Sequence, residues 1–265
     1  MGTAAAAWAE ALASWAIPPE ILAAAPEDPW AYPIAAFVRA ADQAIGRDTP
    51  SYRRALEALP VGGSVLDVGC GAGAAGLPLV PPAAWIVGVD QSEQMLKAFA
   101  ERAGSLGIAH DELLGAWPDV SAELEGAADV AVCHHVLYNV PDIEPFVREL
   151  ARRAMRRCVI EITAEHPRAW EGPLWKALQG LDRPTRPTAV DAVAAIRETG
   201  IDPKVEIWPR PMTFHAGSVE ERIATVRVDL CLPPERDADI ARALAEHPPP
   251  EARNIATIWW DTSEK

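Results

Sequence analysis

The chain has 265 residues, 49% of them hydrophobic, enough to build a real core and too many for a disordered segment. Its 24 basic and 38 acidic residues leave a net charge of −14 at pH 7, so its surface repels phosphate backbones and anionic lipid headgroups. Nucleic acid and membrane are therefore not expected as partners, and no apolar stretch approaches the roughly 20 residues a membrane span needs.

The alanine-rich N-terminus lacks a basic leader and is interrupted by Glu10, so it does not read as a signal peptide. Trp8, Leu12 and Trp15 fall at i, i+4 and i+7 and predict a helix over residues 8–16, ended by Pro18 and Pro19. Residues 34–44 and 51–58 predict two more helices, so residues 1–60 read as a helical cap or lid. The pattern then changes. Residues 64–68 are a short apolar run closed by glycines, the mark of a buried parallel strand. A helix pattern follows over 74–80, then a strand over 85–89 ending in Asp90, and a helix over 92–103 with Ser92 as its N-cap. Strands are predicted at 112–114, 129–134 and 158–163, with a helix over 143–157 between the last two. A helix over 188–199 ends at Gly200. Two late strands, 204–208 and 256–260, flank helices at 219–230 and 237–246. Strands alternating with helices at this spacing imply βαβ units. The expected fold is α/β: a Rossmann-like, seven-stranded, mostly parallel sheet with helices on both faces. Residues 61–211 would form its core, and 212–265 a helical insertion plus the last strand of the same domain.

Cys70, Cys133, Cys158 and Cys231 form no CxxC pair and no metal-ligand spacing, so no metal site is expected. They read as reduced thiols, which suits a cytoplasmic protein. Trp15, Trp85 and Trp259 read as core. Arg152, Arg153, Arg156 and Arg157 read as a solvated face at a helix C-terminus, where cations favour the helix dipole.

The central string is Val65-Leu66-Asp67-Val68-Gly69-Cys70-Gly71-Ala72-Gly73. A strand runs into alternating glycines, which allow a tight turn and a close approach of a cofactor to the backbone. Asp90, closing the second strand, stands where a carboxylate accepts the hydroxyl protons of a ribose. Residues 71–76 also match GxGxxG, a pattern that Ala/Gly-rich sequence produces by chance. Asp67 weighs against a dinucleotide, because a carboxylate close to the glycine turn opposes a pyrophosphate. It suits S-adenosylmethionine (SAM), which brings an ammonium and a sulfonium.

VLDVGCGAG, followed by VGVDQSEQML and then HHVLYNVPD, resembles the class I SAM-dependent methyltransferase family over about residues 65–163. The resemblance implies SAM as cofactor and S-adenosylhomocysteine as product. It implies that Asp67, Gly69, Gly71 and Gly73 surround the methionine part, that Cys70 between them also contacts the cofactor, that Asp90 holds the ribose, and that Gln91 and Met95 lie near the adenine. The usual acid after the third strand is missing. Ala116 and Trp117 stand in its place, with Trp117 to stack on or wall the adenine.

The segment after the fourth strand faces the reacting methyl in this family. His134 and His135 therefore read as a cofactor contact and as a general base or substrate donor, respectively, and both would also serve as plain structural or pocket-lining residues. Tyr138 is a candidate substrate contact or a packing residue. Glu165 and His166 form an acid–base pair only if their loop folds inward, and otherwise a solvated loop. Glu161 lies in the fifth strand, and His215 has no neighbouring signal. Trp30, Tyr32, Trp170 and Trp175 are candidates for the acceptor side, beneath a lid made by the N-terminal helices and late insertions. The function expected from the resemblance is methyl transfer to a small-molecule acceptor, on a hydroxyl or carboxyl oxygen. The alternatives are a SAM-binding protein without turnover and an NAD(P)-dependent oxidoreductase. The acceptor and the oligomeric state are not legible.

Overall fold

The computed structural model describes residues 2–30, 33–212 and 217–262. Seven strands form one sheet: β1 Ser64–Val68, β2 Trp85–Asp90, β3 Ala109–Leu114, β4 Ala128–His134, β5 Ala154–Thr163, β6 Lys204–Pro211 and β7 Ala252–Asp261. Their order is β3-β2-β1-β4-β5-β7-β6. β1 pairs in parallel with β2 and β4, Val65 facing Ile86 on one side and Val130 on the other. β7 alone reverses, running antiparallel to both β5 and β6. Parallel strands covered on both faces carry near-continuous apolar runs. Val130–Cys133 and Cys158–Thr163 are accordingly buried throughout.

Ten α-helices accompany the sheet among the described residues: α1 Thr3–Ala13, α2 Pro19–Ala23, α3 Ile34–Ala44, α4 Pro50–Ala58, α5 Glu93–Ser105, α6 Ile143–Arg152, α7 Gly172–Gln179, α8 Ala189–Glu198, α9 Val219–Asp229 and α10 Asp237–Glu246. α1, α6 and α8 pack on one face of the sheet, while α4 and α5 cover the other. A third apolar cluster joins Ile17 to Leu174, Trp175, Leu230 and Ile240, so α7, α9 and α10 form a cap with the chain around α2. The leader thus divides between layers. α1 is tied to the core through Glu198, whose carboxylate accepts from the Ala4 and Ala5 amides at 2.9 and 3.0 Å, a favourable place for negative charge at a helix N-terminus. Ser92 caps α5, its hydroxyl accepting from the Met95 amide, and a full capping box at Thr188 and Asp191 starts α8.

Four local expectations change. Residues 74–80 hold only a short 3-10 turn, Leu77–Leu79. Gly73 sits at φ 93°, Pro78 lacks an N–H, and the Gly76 amide is drawn to Asp67 Oδ2 at 2.8 Å, so no regular helix ladder forms. The helix expected over 143–157 stops at Arg152, and β5 starts at Ala154. Arg156 and Arg157 are therefore strand residues, ion-paired to Asp129 and to Glu57 and Asp261. Trp85 is 42% exposed at the start of β2, outside the core. α7 was not expected from sequence; Pro173 stands in its first turn and left-handed Gly180 ends it. All four cysteines are buried and free. No helix among the described residues is long and apolar enough to cross a membrane.

Trp8 links the leader to the site-bearing loop after β4. It is fully buried, donates from Nε1 to the Val140 carbonyl at 2.8 Å, and stacks on Tyr138 at 5.6 Å between ring centroids. Trp8→Ala is expected to cost about 3–5 kcal/mol of folding stability, read from urea unfolding.

Candidate active site

The glycine loop closes tightly against the end of β2. The Gly69 and Cys70 amides both donate to the Val89 carbonyl, at 2.8 and 3.0 Å. Gly69 adopts φ 70°, and a Cβ there would lie 2.3 Å from Val136 Cγ2, so both the conformation and the close approach demand glycine. The Asp90 carboxylate is held by two amides, Gly71 to Oδ2 and Ser92 to Oδ1, each at 2.9 Å. Each oxygen keeps a second lone pair for a ligand.

The loop floors a cavity of about 2310 Å³ at the C-terminal ends of the parallel strands. A single small-molecule site typically takes roughly 300–1,000 Å³, so this one has room for two molecules side by side. Of the residues expected around a cofactor, Gly69, Cys70, Gly71, Asp90, Gln91, Met95, Trp117 and His134 line it. Gly73 and Ala116 do not. Asp119, two positions beyond Trp117, lines the cavity and supplies a carboxylate on that side. Sequence reading passed over it because the family's acid is sought closer to the strand end.

Asp67 lies beneath the loop and does not line the cavity. It is fully buried; Oδ2 accepts from Gly76 while Oδ1 has no partner. Burial pushes its carboxyl up to about 7, with nearby Asp90 acting in the same direction and the Gly76 amide against it. It therefore holds the loop from below, and its effect on a cofactor would pass through the loop.

The opposite side of the cavity is polar. His135 sits at φ 60°, left-handed for a residue with a side chain, a conformation that costs on the order of 1–3 kcal/mol unless its surroundings impose it. Glu161 imposes it. The His135 amide donates to the Glu161 carbonyl at 2.6 Å, and His135 Nε2 lies 3.0 Å from Glu161 Oε1. Arg210 Nη1 donates to the same oxygen at 2.6 Å, and Ser51 of α4 donates to Oε2 at 2.7 Å. Burial alone would raise the Glu161 carboxyl, but His134, His135 and Arg210 hold it well below the ordinary range. Arg210 Nη2 also lies 2.7 Å from His135 Nε2, so that nitrogen either donates to Glu161 or accepts from Arg210. Among the described residues Nδ1 has no hydrogen-bond partner. The His135 ring is 40% exposed, and the partial desolvation of its inner edge draws its pKa down against the pull of Glu161. Burial takes His134 down to about 4, leaving it neutral.

Aromatic residues close one side. Tyr138 lines the cavity, but its hydroxyl is committed to the Thr163 carbonyl at 2.8 Å. His166 is not in a solvated loop: it is buried, stacked on Trp15 at 3.6 Å and set edge-on to Tyr138. Burial lowers it to about 3, so it stays neutral as well. Trp30 lines the cavity, with the Arg168 guanidinium 5.0 Å above its ring. Trp170 and Trp175 belong to the third apolar cluster and do not line the cavity; Trp175 is buried against Glu171. Tyr32 and His215 lie outside the described residues.

Sequence reading missed Ser51, Arg210 and Arg253, all of which line this wall. They come from α4, β6 and β7, distant segments that the sheet brings together, and like-charged residues in two late strands were the one available signal.

The strand order with a single reversed β7, and the glycine loop and Asp90 at the cavity rim, define a class I methyltransferase fold. Residues 66–160 match the family model described as a methyltransferase domain. A ubiquinone biosynthesis O-methyltransferase of Chromobacterium violaceum is 36% identical over 87 residues, which span 33% of this chain and 38% of that protein. Among solved structures, the YcgJ protein of Bacillus subtilis superposes with a TM-score of 0.58 at 15% identity, over 81% of this chain and 99% of that one. A SAM-dependent methyltransferase of Thiobacillus denitrificans in complex with S-adenosylhomocysteine gives 0.53 at 17% identity, over 88% and 98%. Residues 66–160 thus form a methyltransferase domain on a class I fold, for which SAM is the implied cofactor, and the chain spans little more than a third of the length of the curated O-methyltransferases it matches. The residues present fit that group. Bare glycine backbone allows close approach, Asp90 has lone pairs to spare for vicinal hydroxyls, and Met95 and Trp117 offer apolar walls for an adenine.

Asp67 has a thermodynamic signature. Its folded pKa of about 7 lies above the ordinary value of 3.8. The unfolded chain therefore releases the proton more readily, and stability is lost as pH rises through that window. Asp67→Asn keeps an acceptor for Gly76 and does not titrate. In parallel urea titrations its stability relative to the parent is expected to rise between about pH 4 and about pH 8.

Proposed function

We propose that the protein is an enzyme that transfers a methyl group from SAM to a small-molecule acceptor, at a hydroxyl or carboxyl oxygen. The observation that carries this reading is one cavity with the glycine loop and Asp90 on one wall and the His135–Glu161 pair on the other.

Gly69, Cys70 and Gly71 would hold the methionine part, Asp90 the ribose, and Gln91, Met95, Trp117 and Asp119 the adenine. When bound, SAM supplies a methyl group made electrophilic by its sulfonium. The protein's own work is to align an acceptor, exclude water and take a proton where the acceptor must lose one. His135 is the group for the proton, accepted at Nδ1, with Glu161 as its positioning residue. Tyr138, His166 and Trp15 shield that side from water. The NAD(P) alternative loses support at the glycine loop: residues 74–80 form no α-helix whose N-terminus could receive a pyrophosphate.

Calorimetric titration tests the cofactor. S-adenosylhomocysteine is expected to bind, NADH not to bind, and Asp90→Ala to weaken the first by ten-fold or more, on the order of 1.4 kcal/mol. Failure of a folded, ligand-free sample to bind S-adenosylhomocysteine would refute the reading. Turnover against an acceptor panel separates an enzyme from a SAM-binding protein without activity.

His135→Ala is expected to leave S-adenosylhomocysteine affinity unchanged and to lower kcat on a hydroxyl acceptor by about 10²–10⁴-fold. Because the imidazole pKa is lowered, and a base must be unprotonated, the parent rate should fall only below the ordinary histidine value of 6.5. The variant should lack that acid limb.

A further inference from the structure

We propose that the wall formed by β6 and β7 is an anion subsite, in which Arg253, with Arg210 beside it, seats a carboxylate carried by the acceptor. The proposal rests on reading the cavity as an acceptor site, and it names the chemical class of that acceptor.

Arg210 and Arg253 occupy directly opposed positions on antiparallel neighbours. Like charges so placed destabilise a sheet. Both side chains line the cavity. Arg210 is compensated by Glu161, which is buried and already shared with Ser51 and His135. Arg253 is not compensated. Among the described residues its guanidinium makes no hydrogen bond or ion pair, and its Nε is buried without a partner. Burial and the neighbouring Arg210 lower its pKa to about 10, against the pull of Glu161. A half-buried cation whose Nε is shut off from water without a partner is costly and is found where something else supplies the partner.

The charge count fixes the kind of anion. Two guanidinium groups face one carboxylate on this wall, leaving one positive charge, which a monoanion balances and a phosphate dianion overshoots. Guanidinium and carboxylate are planar and pair by two parallel hydrogen bonds. Trp208 lies on the same wall, with the Arg210 guanidinium 5.7 Å from its ring, and gives an aromatic or flat acceptor a surface to lie on.

The test uses the full-length protein, with and without S-adenosylhomocysteine, and two matched probe pairs: 4-hydroxybenzoate with 4-hydroxybenzamide, and cinnamate with cinnamamide. Calorimetry is expected to show the acids binding at least ten-fold tighter than the amides. Arg253→Gln should erase that preference, and Arg253→Lys, which keeps the charge but not the planar fork, should keep only part of it. Arg253→Gln should also melt no lower than the parent, because it relieves a like-charge pair; a purely structural arginine would lower the melting temperature. Acids and amides binding alike, no acid binding up to ~10 mM, or an acid preference untouched by Arg253→Gln would each overturn the proposal. Failure of S-adenosylhomocysteine to bind while the acids do would defeat the methyltransferase reading and leave the anion subsite standing.

Discussion

A single buried carboxylate organises one half of the cavity. Glu161 is 3% exposed at the end of β5, and a charge so placed persists only if its oxygens are filled by hydrogen bonds and opposite charge. Its partners come from four other segments: the loop after β4, α4, β6 and, through Ser51 and Thr257, β7. Trp208 adds a further bond to Thr257 at 3.0 Å. The network pins the left-handed His135, fixes where α4 lies on the sheet, and sets the end of β6 against the site. Removing Glu161 would strand Arg210 and free His135 together, so these groups act as one unit and their energies would not add.

The fold was legible where hydrophobic period and punctuation agreed. α3 coincides with the helix predicted over 34–44, and the central strands fell on short apolar runs closed by glycine or polar residues. Misreadings occurred where a side chain outside the local window took over. Asp67 captures the Gly76 amide and helps prevent the helix expected after the glycine loop. Asp129, Glu57 and Asp261 hold Arg156 and Arg157 in a strand although basic residues also suit a helix C-terminus. None of these three acids is near Arg156 or Arg157 in sequence.

The site divides the same way. The part that would meet a cofactor is contiguous, built from one strand, one turn and the next strand end, and the spacing of Asp67, Gly69, Gly71 and Asp90 could be read directly. Even there, Asp67 lies under the loop, a distinction of a few ångströms that spacing does not encode. The part that would meet an acceptor is assembled across the sheet. Ser51, Glu161, Arg210 and Arg253 come from segments far apart in the chain, and nothing local links them. Tryptophans were a poor guide, since large apolar rings serve a core and a pocket equally well; Trp175 packs inside the cap while Trp30 faces the cavity.

The reversed β7 has a consequence for how the two walls can vary. β6 and β7 lie side by side with Arg210 opposite Arg253, yet the chain between them makes a long excursion through α9 and α10. The sheet rung and the cap are therefore mechanically decoupled. Insertions, deletions or rearrangements in the excursion can reshape the roof of the cavity without shifting the register beneath it. Roof and floor can diverge independently, one altering the outline admitted and the other the charge met at the bottom.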